Sequence, residues 1–104
     1  MTHMQWIRNS RILWDRQDGH CPACGVEMDP GEQMEIAHRV PDTVGNRGKY
    51  GRACLDHPDN LALVDVRRGK ACNDAVLLGA ARPVEREALM ASIREKLAQP
   101  NGGE

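Results

Sequence analysis

The chain has no phenylalanine and only three aromatic side chains, two Trp and one Tyr, among 104 residues. Interiors built on stacked rings are thereby excluded, and with 40% hydrophobic against 28% charged residues a large self-sufficient core is excluded too. No stretch approaches the roughly 20 apolar residues of a membrane span. The opening MTHMQWIRNSR has no apolar signal core, so a cytoplasmic protein without membrane contact is expected. Nor does one sign of charge prevail. Fourteen basic and fifteen acidic residues leave a formal charge of -1, so any attraction to nucleic acid must come from local clustering.

What the chain does have is four Cys and four His. Domains this small often depend on metal or disulfides for stability, and a Cys-x-x-Cys pair in a reducing compartment favours zinc. Cys21 and Cys24 flank Pro22-Ala23 and precede Gly25, a tight turn that aims two sulfurs to one side. Before it, Trp6, Ile7, Leu13 and Trp14 recur at helical spacing over residues 4–17, with Thr2 as the cap and Gly19 as the stop. After the Asp29-Pro30-Gly31 turn, residues 33–40 alternate, placing Met34, Ile36, His38 and Val40 on one face of a strand that Pro41 breaks.

Residues 42–59 read as a long Gly-rich loop, 61–66 as a second strand, and 73–78 as a short helix ended by Gly79. A final helix spans 83–98, with Pro83 first, Glu85 and Glu87 in its opening turn, and Leu89, Ile93 and Leu97 as its apolar stripe. Residues 99–104 read as a frayed tail. The apolar stripes of both terminal helices are read as core, and the last stripe serves equally as a dimer surface. One domain accounts for residues 1–104.

In order, the informative residues are Cys21-x-x-Cys24, His38 at a strand end, His57-Pro-Asp-Asn60 opening the second strand, and Cys72-Asn73 at a helix start. This order resembles the HNH endonucleases, and IAHRVP, YGRACLDHPDNLALV and CNDAVLLG resemble the motif blocks of their zinc-containing members. The resemblance covers roughly residues 12 to 79. It implies an α+β fold with a ββα-metal core and a zinc knuckle over residues 20–79, flanked by the two terminal helices. It also implies hydrolysis of DNA phosphodiesters, by nicking or weakly selective cutting, in a phage or mobile-element setting.

By the same resemblance His38 is the general base, Asn60 braces the loop and orients that imidazole, and Asn73 ligates a catalytic Mg²⁺ or Mn²⁺. Many members carry Asp just before the first His, where this chain has Ala37. The missing ligand is then His57, Glu35, or substrate phosphate and water, with His57 preferred. The reverse arrangement, His38 on metal and His57 as base, stays open. Structural Zn²⁺ takes Cys21, Cys24 and Cys72. Its fourth ligand is Asp65 by alignment or Cys54 by thiolate preference.

Between Arg39 and Lys70, seven basic residues (Arg39, Arg47, Lys49, Arg52, Arg67, Arg68 and Lys70) face four Asp. Such local excess suits contacts to a DNA backbone, with a solvated loop as the plain alternative. The rival to a nuclease is a catalytically inactive zinc-binding module that contacts nucleic acid or a larger protein machine. A subunit active only when docked on a larger phage or mobile-element protein is a third reading.

Overall fold

The computed structural model describes residues 1–29, 34–67, 69–79 and 82–99. Arg68, the Pro30-Gly31 turn and the tail beyond Gln99 lie outside the described residues. The described chain is a small α+β protein. Helix α1 (His3–Gln17) leads to strand β1 (Met34–His38), then α2 (Val44–Tyr50), α3 (Arg52–Leu55) and a 3₁₀ turn (Pro58–Asn60). Strand β2 (Leu61–Asp65), α4 (Ala71–Val76) and α5 (Pro83–Ala98) complete it. None of these helices is long and apolar enough to cross a membrane.

Thr2 caps α1 as its sequence suggests, in a reciprocal pairing with Gln5. The face that α1 buries is a correction: Asn9, Ser10 and Leu13 go inward, whereas Trp6 and Ile7 remain 40% and 37% exposed. Polar anchoring explains the rotation. Asn9 Nδ2 donates to the Asp56 carbonyl at 3.1 Å, and Gln17 reaches across to β2. The helix ends on Asp18 in the left-handed region, followed by Gly19 at φ +68, where a Cβ would stand 2.9 Å from the Trp14 ring.

The strands pair antiparallel, with Met34 opposite Asp65, Ala37 opposite Ala62 and His38 opposite Leu61. β2 is buried throughout, and each outward N–H on its other edge finds a partner. Leu61 donates to the Pro58 carbonyl, Leu63 to Gln17 Oε1 at 2.9 Å, and Asp65 to Cys21 Sγ at 3.5 Å. Gln17 Nε2 returns a bond to the Leu63 carbonyl at 2.9 Å, so a side-chain amide behaves as a third strand.

Two apolar clusters flank this pair. One joins Leu13, Cys21, Met28, Ala37, Cys72 and β2; the other joins Val40, Tyr50, Cys54, Leu55, Leu78, Met90 and Ile93. The second corrects the reading of residues 42–59 as a loop. Thr43 caps α2 through its side chain, and Tyr50 and Leu55 turn inward against α5. Three Gly and many charges conceal this helical segment in the sequence. On α5, Met90 and Ile93 form the buried face, while Leu97 is exposed.

Asn60 ties these parts together. Fully buried, its Nδ2 donates to the carbonyls of Val40 at 3.1 Å and Leu55 at 2.9 Å, and its Oδ1 accepts from the Val40 N–H at 2.8 Å. Asn60→Ala strands three backbone groups, each costing about 1–3 kcal/mol if left unsatisfied. Urea unfolding is expected to show a loss of about 3 kcal/mol or more, whereas Ser92→Ala, at an exposed position of α5, should change little.

Candidate functional site

The sulfurs of Cys21, Cys24 and Cys72 lie within 4.8 Å of one another, brought together by the turn after α1 and the first turn of α4. Three such thiols could hold a metal ion. Burial raises the Cys21 pKa, but N–H groups of Asp65, Cys24 and Ala23 outweigh that and hold it below its ordinary value. Cys72 is pushed up to about 12, first by burial and then by its sulfur neighbours. Cys21 is therefore the readier of these two to ionise. A bound divalent ion would ionise all three.

The two suggested fourth ligands separate. Cys54 is packed in the other apolar cluster, with Val40, Tyr50 and Leu55, so its assignment to the metal is corrected. It is a core thiol. Asp65 lies at the end of β2 beside Cys21, with its carboxylate 2.8 Å from Arg67 Nε. Among the described residues the cluster itself comprises the three cysteines.

His38 closes β1, and its Nε2 lies 2.9 Å from Oδ1 of the buried Asp56. An ionised carboxylate only accepts, so Nε2 carries the proton and Nδ1 is left as the basic atom. Arg52 approaches the other carboxylate oxygen at 3.4 Å. The sequence reading missed Asp56 because its segment was taken for loop. The side chain of Asn60, by contrast, bonds backbone groups of Val40 and Leu55, and none of these bonds goes to the imidazole.

Asn73 Nδ2 donates to Glu35 Oε1 at 3.1 Å. Alternation along β1 sends Glu35 and Ala37 to one face and His38 to the other. Ala37 is 1% exposed and faces Ala62, inside the core. Of the two side chains proposed to replace a carboxylate there, Glu35 is the one beside Asn73.

His57 is the other correction. It is 6% exposed, with Nδ1 accepting from the Asp59 N–H at 3.1 Å, on the side of the molecule where Asp59 meets Arg16 and Lys96. Burial lowers its pKa from the ordinary 6.5; Asp59 opposes that, and Lys96 and Arg16 add to it. For Asp59, burial acts upward, but hydrogen bonds from Lys96 and Arg16 hold its pKa below the ordinary value.

The basic stretch is largely neutralised. Arg47 and Arg52 pair with Asp42, Lys49 with Glu87 and Arg67 with Asp65. Arg39 and Lys70 form no ion pair among the described residues. Compared with known proteins, the chain matches no family model and no curated protein.

Two outcomes follow. Purified protein should bind one Co²⁺ or Zn²⁺ per chain with thiolate-to-cobalt absorption, lost in Cys21→Ser, Cys24→Ser or Cys72→Ser and kept in Cys54→Ala. For His57, the folded pKa lies below the unfolded 6.5, so protonation favours the unfolded chain. Its contribution is intact above pH 6.5 and lost as pH falls below that value. The lowered carboxylates Asp42, Asp59 and Glu87 act only below their ordinary 3.8 and 4.5, so the windows separate. NMR titration of His57 should give a midpoint below 6.5.

Proposed function

We propose that the protein is a metal-dependent nuclease of the HNH type that hydrolyses DNA phosphodiesters. The observation that carries this reading is the His38–Asp56 contact at the end of β1, in a chain whose thiol turn, strand pair and helix α4 follow the order of that family. His38 takes a proton from the attacking water at Nδ1, while Asp56 fixes the ring and stabilises the imidazolium that results. Asn73 and Glu35 would hold a divalent cation such as Mg²⁺ or Mn²⁺. That ion supplies charge neutralisation at the phosphate and leaving oxygen. Cys21, Cys24 and Cys72, with Asp65 as fourth ligand, would hold a Zn²⁺ that would fasten the turn after α1 to β2 and α4.

A second reading has its own support. Ala37 is buried where many family members carry a metal-binding Asp, and β1 presents Glu35 and His38 on opposite faces. These features fit a zinc module that binds nucleic acid or a larger protein without cutting.

Nicking of supercoiled plasmid with Mg²⁺ or Mn²⁺ against EDTA separates the two. A nuclease converts plasmid to open circle, His38→Ala lowers the rate by about a hundredfold or more, and Asn73→Ala and Asp56→Asn also reduce it. Folded, metal-loaded protein that converts none is the binding module.

A further inference from the structure

A cleft of about 700 Å³ separates α1 from the segment that runs from α3 into the 3₁₀ turn. Arg8, Ile12 and Arg16 line it from α1, at the spacing that puts them on one helical face, and Arg52 and His57 line it from the other side. The carboxylate on this wall, Asp56, is engaged by His38 and Arg52. Arg8 forms no ion pair or hydrogen bond among the described residues. His57 is the second observation. Its Nδ1 accepts from a backbone N–H, so the proton of the neutral ring is on Nε2. That buried N–H has no acceptor among the described residues.

The wall is therefore rich in donors and in positive charge, and short of acceptors. It is complementary to a phosphate, which offers acceptors and negative charge alone. A second cleft of about 540 Å³ adjoins the first, sharing Arg16 and Pro58, and adds Arg39 and Arg82. Five arginines line the two joined clefts against two carboxylates, Asp56 and Asp59; Arg16, Arg52 and Arg82 are in ion pairs, Arg8 and Arg39 are in none among the described residues, and this spread of positive charge matches a series of phosphates better than one small anion. We propose that the two clefts form a track for the phosphate backbone of a nucleic-acid strand, with His57 in its wall as a reporter of what the track holds. The track is distinct from the basic stretch 39–70 as a whole, since Arg8, Arg16 and Arg82 lie outside that stretch. It also stands apart from the cleavage reading, because binding requires no catalysis.

The test is fluorescence anisotropy of a labelled short single-stranded oligonucleotide over a salt series, using the full zinc-loaded chain. Arg8→Glu and Arg82→Glu, both at exposed positions, are compared with Arg11→Glu, which makes the same charge change on α1 away from the clefts. Wild-type protein should bind, and each cleft variant should weaken binding by about tenfold and reduce the salt slope by about 1. Arg11→Glu should stay near wild type. The His57 Nε2–H resonance should shift on adding the oligonucleotide.

Equal weakening in all three variants overturns the track in favour of diffuse charge, and absence of binding overturns it outright. Inorganic phosphate serves as the second probe. If phosphate shifts the His57 resonance while the oligonucleotide does not bind, the clefts hold a small anion and the nucleic-acid track is overturned. Absence of plasmid cleavage with these binding results intact would refute the nuclease and leave the track standing.

Discussion

The rest of this structure depends on one buried side-chain amide. Asn60 stands where the chain must bring the exit of β1, the end of α3 and the start of β2 to one point, and its side chain pairs backbone groups there that the β1–β2 ladder does not reach. Backbone groups at such a junction are costly unless each is paired. By satisfying three at once, Asn60 fixes the distance between His38 and the α3 end that carries Asp56, so the His38–Asp56 contact is a consequence of it. The Asn60 carbonyl continues the joint by accepting from the Arg39 N–H at 2.7 Å, and the Arg39 carbonyl accepts from Leu78 at 2.6 Å.

A similar economy holds on the far edge of β2. With few large apolar side chains available, α1 and the thiol turn are fastened by polar groups that complete strand bonds, Gln17 at Leu63 and Cys21 at Asp65. The sulfur therefore has two tasks, as an acceptor for a sheet N–H and as a member of the cluster. Tertiary position and thiolate character are coupled through the same atom. The second apolar cluster has no such chemistry, and its single cysteine, Cys54, is accordingly a packing residue.

Legibility in the sequence followed local physics. β1 was readable because alternation and Pro41 act over a few residues, β2 as a short apolar run, and α5 because Pro83 and its flanking charges mark a helix start. Cys21 and Cys24 were readable as a pair because turn spacing acts locally, whereas Cys72 came to them through the family resemblance, and the structure brings all three sulfurs together. Residues 42–59 were not, since Gly45, Gly48 and Gly51 lower helix propensity and only packing of Tyr50 and Leu55 on α5 overrides it. The inward face of α1 was hidden for a related reason. Hydrophobicity ranks Trp6 and Ile7 first, whereas long-range bonds from Asn9 and Gln17 decide the rotation. His57 was placed by its neighbours in sequence, and its burial against Asp59, Arg16 and Lys96 is a tertiary fact.

The Gln17 amide at β2 has a consequence for how copies of this chain behave in a crowded solution. An uncapped strand edge is a template on which another chain can grow, and apolar β2 would be an adhesive one. Because a side chain from the preceding helix occupies that edge, β2 is unavailable for recruitment as long as α1 stays docked. Partial detachment of α1, rather than global unfolding, is thus the event that would expose the chain to self-association.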